Sequence, residues 1–205
     1  LYTYWLYDYA GVNPQNGNAL WRNEEGLLTV NYGEARRIHA GSPEPLWTGG
    51  FNTELSWKGI SLGIQLEARY GNKVLNQDRS LFEADGSYGD SNIWKGALNY
   101  WKKPGDTNVL PKPIYNHSSN SSQISTRYLE DGSYLRIKDI TLAYNLPSKW
   151  TKKALMSGVR IYASALNLYT FHNMNYWDPE HGTTGATIIS YPMTRSMIVG
   201  VDITF

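Results

Sequence analysis

The chain has 205 residues, a net charge of +1 and no cysteine. That balance leaves no basic excess to neutralise phosphates, so nothing here points to nucleic acid. No apolar run reaches the roughly 18 residues a membrane helix needs, although this does not exclude a barrel, whose strands turn every second residue to a polar lumen.

The opening residues, Leu1-Tyr-Thr-Tyr-Trp5, lie in a predicted strand over 1–10, with neither a starting Met nor a signal peptide, and the chain reads as part of something longer. A long Gly-, Pro- and Asn-rich connection follows over 11–47. Next comes the cleanest alternation. Phe51, Thr53, Leu55 and Trp57 alternate with Asn52, Glu54 and Ser56. Beyond Lys58-Gly59, Ile60, Leu62, Ile64, Leu66, Ala68 and Tyr70 alternate with Ser61, Gly63, Gln65, Glu67 and Arg69. Successive side chains of a strand point to opposite faces, so this pair predicts a hairpin with one apolar and one polar side. Each strand is about the 9–11 residues that cross a bilayer at a tilt.

Residues 71–132 form the longest connection. Within it Ser91 is placed to cap a helix reaching Trp101, with Trp94, Leu98 and Trp101 on one face and Pro104-Gly105 as the stop. The strand from Ser133 to Leu146 changes phase: Leu135 and Ile137 fall on one face, Ile140, Leu142, Tyr144 and Leu146 on the other. A bulge near Lys138-Asp139 produces such a shift, and the part before it is expected to project beyond a membrane. After the short connection 147–158, Val159–Thr170 forms a less regular strand. A third long connection, 172–195, leads to the last strand, where Met197, Val199, Val201, Ile203 and Phe205 share one face.

Alternation alone favours a water-soluble β-sandwich, since soluble proteins are commoner. The connections favour a barrel, because short turns on one side and long loops on the other are its signature. The aromatic content, 16 Tyr and 8 Trp against 4 Phe, suits either an interfacial girdle or a sugar-binding surface. Trp57 and Tyr144, near the short-turn ends, are assigned to the girdle.

The segment from Tyr128 to Pro147, Tyr-Leu-Glu-Asp-Gly-Ser-Tyr-Leu-Arg-Ile-Lys-Asp-Ile-Thr-Leu-Ala-Tyr-Asn-Leu-Pro, resembles the C-terminal segment of SusC/RagA-family TonB-linked outer-membrane transporters. Val159–Phe171, with Asn167 in strand context, and Tyr176-Trp-Asp-Pro-Glu180 continue the likeness, the latter with Trp177 inserted. Gly11–Gly17, Pro45–Phe51, Tyr70–Val74 and Trp101–Asp106 extend it upstream.

The resemblance implies an all-β antiparallel transmembrane β-barrel of the plugged class, of which residues 1–205 supply a C-terminal part in the outer membrane. The plug and TonB-contacting segment lie outside it. It implies import of glycans or oligopeptides, with a SusD-like lipoprotein and TonB as partners. It also implies that the assembly machinery reads the last strand, through Phe205, Ile203 and Val201. Trp94, Trp101, Tyr176, Trp177 and Asp178 are the candidates for contact with ligand or lid, although packing of the loop onto the barrel is the first reading for Trp94 and Trp101, and a turn is the first reading for Asp178-Pro-Glu180.

No enzyme is recognisable. His39, His117, His172 and His181 lack zinc spacing, Asp85 and Asp90 lack an EF-hand pattern, and no cofactor is implied. The competing reading is a soluble or surface-attached β-sandwich that binds carbohydrate.

Overall fold

A computed structural model describes residues 2–87, 92–180, 185–187, 191 and 193–205. They form two compact units. One comprises Leu1–Glu44, Asn72–Asp131 and His181–Ser190; the other Pro45–Gly71, Gly132–Glu180 and Tyr191–Phe205.

The second unit is a single antiparallel sheet. Its strands are β1 (Trp47–Trp57), β2 (Ile60–Tyr70), β3 (Tyr134–Asn145), β4 (Gly158–His172) and β5 (Ser196–Thr204). The order across the sheet is β5-β4-β3-β2-β1. The sheet is open, and closure into a cylinder is not seen in this segment. The β1–β2 hairpin forms as expected, with Trp57 opposite Ile60. Lys58 at φ 47° and Gly59 at φ 88° give the left-handed pair that a two-residue hairpin turn requires.

The register gathers the apolar residues into rows. Leu55, Leu62, Leu142, Ala163 and Val199 form one row, and Trp57, Ile60, Tyr144, Ile161 and Val201 another. Many of these side chains are exposed, Leu55 and Leu142 more than half so, whereas a sandwich would bury them. The opposite face is polar. Ser164 and Thr141 share the Asp139 carboxylate at 2.8–3.0 Å, and Arg160 pairs with Asp202. Gly200 makes room here for the Tyr162 ring, which fills the space a Cβ would take.

The bulge expected near Lys138 is present, with the register shifting between Ile137 and Asp139 against both neighbours. Its effect differs from expectation. Ile137 opposes Leu66 and Ile140 opposes Ile64, so the extra residue returns Leu135, Ile137, Ile140 and Leu142 to one face. The phase change seen in the sequence is cancelled by the bulge, and the apolar surface stays continuous.

The first unit is built from small pieces. Tyr9–Val12, Ala19–Arg22 and Leu28–Thr29 form one sheet. Lys73–Asn76 lies between Leu129–Asp131 and a parallel edge, Ala186–Thr187. Leu6, Leu75 and Tyr128 form its core. The strand expected over 1–10 is corrected: it breaks at Asp8 into Trp5–Tyr7, which pairs with Arg37–His39, and Tyr9–Val12. Asp8 accepts two bonds from Arg36 at 2.8–2.9 Å, which fixes the break.

The helix expected to reach Trp101 is also corrected, with its cap Ser91 outside the described residues. Only a 3-10 turn, Lys95–Leu98, forms. The Trp101 N–H donates to Leu110 O and the Leu110 N–H to Asn99 O, so a bridge replaces the helical ladder. No described helix is long and apolar enough to cross a membrane, which says nothing of strands.

Candidate functional site

The sheet unit holds its densest charge cluster where β2, β3 and β4 meet the Tyr176–Glu180 loop. The Arg136 side chain is fully buried on the polar face of β3. A buried guanidinium must satisfy its donors. Its Nη2 donates to both Asp178 carboxylate oxygens at 2.5 and 2.6 Å, its Nη1 to Glu180, and its Nε to Thr170 Oγ1 at 2.9 Å. Lys138 bridges Glu180 at 3.5 Å and Glu67 at 3.1 Å, while Glu67 accepts the Tyr134 hydroxyl at 2.7 Å. Asp178 also accepts the Glu180 N–H at 2.8 Å, closing an Asx turn around Pro179. With Arg69 at 3.8 Å from Glu67, three cations meet three carboxylates, so the cluster neutralises itself.

That cluster supports a cavity of about 390 Å³ lined by Asn167, Thr170, His172, Tyr176, Trp177, Asp178, Met193 and Arg195. Three of the sequence-chosen residues, Tyr176, Trp177 and Asp178, therefore meet in one hollow. Tyr176 sits at φ 68° with its ring about half exposed. The hollow combines aromatic faces with amide, hydroxyl, imidazole and guanidinium donors, a set suited to holding a polar ligand rather than transforming it. No group of His, Asp or Glu able to hold a metal occurs among the described residues.

Trp94 and Trp101 lie in the other unit. Trp94 stacks on Phe82 with centroids 4.8 Å apart. Trp101 is 8% exposed and its indole donates to Pro14 O at 3.0 Å, which leaves little ring for a ligand. Nearby charges are structural. Arg79, largely buried against Glu83 and Glu130, loses solvation by burial, yet those two carboxylates hold its guanidinium above the ordinary arginine range. Burial pushes the Tyr9 hydroxyl up to about 12. Val201 and Ile203 stand on the exposed apolar face of β5, and Phe205, just beyond it, is 87% exposed.

Sequence reasoning missed Arg136, Lys138 and Glu67. The available signal was three charges placed on the polar side of strands β2 and β3, which have to meet compensating charge somewhere in the fold.

No protein-family model matches the chain. TonB-dependent receptor P3 of Formosa agariphila is 31% identical over 200 residues, covering 92% of this chain and 19% of the receptor. TonB-dependent receptor P26 of the same organism is 27% identical over 203 residues, covering 92% and 20%. Among solved structures, the RagAB peptide transporter superposes with a TM-score of 0.83 and 30% identity, covering 99% of this chain and 23% of that one. The chain thus spans about a fifth of the relatives it matches.

Proposed function

We propose that this chain, a SusC/RagA-like segment of a TonB-dependent outer-membrane transporter, supplies a stretch of barrel wall together with loops that hold ligand at its mouth. The observation that carries this reading is the sheet itself. Five antiparallel strands present one continuous apolar face, and the other face carries carboxylates, guanidiniums and hydroxyls. Lipid on one side and an aqueous lumen on the other are the solvents for which such a pattern is stable.

The placement at the C-terminal end of the transporter, the recognition of Phe205, Ile203 and Val201 by the assembly machinery, and the reliance on TonB and on a SusD-like lipoprotein belong to the same proposal. The RagAB neighbour, described as a peptide transporter, supports oligopeptides as cargo and glycans are the other candidate. The cavity beside Trp177 is the proposed contact for either. An intact transporter carrying Trp177→Ala is expected to bind its cargo roughly two- to tenfold more weakly, the worth of one aromatic contact, with unchanged abundance in the outer membrane. Calorimetry with the purified transporter reads this directly, and an unchanged affinity removes Trp177 from the site.

A further inference from the structure

The short-turn end of the sheet carries a charge the transport reading does not use. Two junctions lie there. The Asn145 N–H donates to Gly59 O at 2.8 Å, joining the β1–β2 turn to the end of β3. The Ser157 N–H donates to Thr204 O at 2.7 Å, joining the β3–β4 connection to the end of β5. The connection itself folds into a helical turn, Ser148–Thr151, and a 3-10 turn, Lys152–Ala154.

Lys58, Lys149, Lys152 and Lys153 project from these junctions, all exposed. No acidic residue occurs in 56–61 or 145–158, and none of the four lysines has an ion pair among the described residues. Between them stand exposed apolar side chains. Trp57 is 68% exposed, with Lys58 Nζ 4.7 Å from its ring centroid, and Trp150 is 59% exposed. Leu155 is 89% exposed and holds φ 58°, a left-handed position that glycine or asparagine ordinarily takes. A leucine there gains nothing in water. It gains burial only if the tip enters an apolar phase.

Trp57 stands in the outward row with Ile60 and Tyr144. Lysines just beyond such a row place their ammonium groups at the depth of lipid headgroups. We infer that this end of the sheet is a binding surface for anionic phospholipid headgroups, with Trp57, Trp150 and Leu155 seated at the acyl boundary and the four lysines on the phosphates. The inference rests on the barrel reading and adds a lipid class to it.

The test uses the intact transporter in nanodiscs of phosphatidylethanolamine with a minor share of phosphatidylglycerol, and spin-labelled versions of both lipids as probes. The wild type is expected to hold phosphatidylglycerol roughly tenfold more strongly than phosphatidylethanolamine at low salt, the preference falling as salt rises. The K58Q/K149Q/K152Q/K153Q variant is expected to lose the preference, and the matching Lys→Arg variant to keep it. A wild type without preference, or a preference that survives either high salt or the Gln changes, overturns the inference while leaving the barrel intact. The salt titration of the wild type decides the matter even if the Gln variant does not assemble. A wild-type transporter missing from the outer membrane overturns the barrel reading and this one with it.

Discussion

Ile64→Lys is expected to strip the intact transporter from the outer membrane, whereas Gln65→Lys, one residue away, leaves its level unchanged. The two positions lie near the middle of β2 at almost the same depth. Ile64 stands in the apolar row with Thr53, Ile140, Ala165 and Met197, and Gln65 faces Asp139 on the polar side. A lysine on the lipid face at mid-depth costs roughly 2–4 kcal/mol, while one in the lumen costs little. Gln65→Lys even brings a cation towards the Asp139 carboxylate. Quantifying folded transporter by its heat-modifiable gel mobility reads both variants. Equal levels of the two would contradict the assignment of faces.

Arg136→Met is expected to release the Tyr176–Glu180 loop. The guanidinium is fully buried and is the shared partner of Asp178 and Glu180. Removing one side of a buried ion pair costs roughly 3–5 kcal/mol, because the remaining charge stays desolvated. Hydrogen exchange at the amides of residues 176–180 is therefore expected to quicken by about 10²–10⁴-fold, with the β1–β2 hairpin unaffected. Lys138 stands 3.5 Å from Glu180, so it relieves only the Glu180 part of the loss. Arg136→Lys is expected to lie between wild type and Arg136→Met, since one ammonium cannot copy the fork that meets both Asp178 oxygens. Unchanged exchange in Arg136→Met would show that the loop is held by Pro179 and the Asx turn alone.

The strands of the sheet were legible because period-two alternation is a local property. Phe51–Tyr70 and Met197–Ile203 show their faces without any partner in view. The turn at Lys58-Gly59 was legible for the same reason. What the alternation cannot show is the consequence of a bulge for its neighbours. The phase change at Lys138 looked like two faces, and pairing with Leu66 and Ile64 makes it one. The long connections were legible as long and no more. Their small sheets are held by contacts far apart in sequence, such as the Trp21 indole on Ser119 O at 2.8 Å and Arg79 on Glu130 at 2.7 Å. Neither leaves a periodic trace.

The candidate site was half legible. Tyr176 and Trp177 stand out by their aromatic rings and Asp178 by the loop it shares with them, and the structure brings the three to one hollow. Their anchor, Arg136, lies 42 positions from Asp178. Only the fold reveals that the isolated cation of one strand belongs with the two acids of a later loop. Trp94 and Trp101 were chosen for their aromatic rings, and both rings are engaged with their own loop, on Phe82 and on Pro14.

The central claim is that the apolar face of this sheet meets lipid and the other face meets water. Single Cys substitutions at Leu62, Gly63, Ile64 and Gln65, made in an intact transporter freed of any other cysteine, can carry a fluorophore at chosen sites. In vesicles, a membrane-confined quencher is expected to silence the labels at 62 and 64, and an aqueous quencher those at 63 and 65. Four labels quenched alike from water would contradict the account, because a sheet wetted on both faces is not a barrel wall.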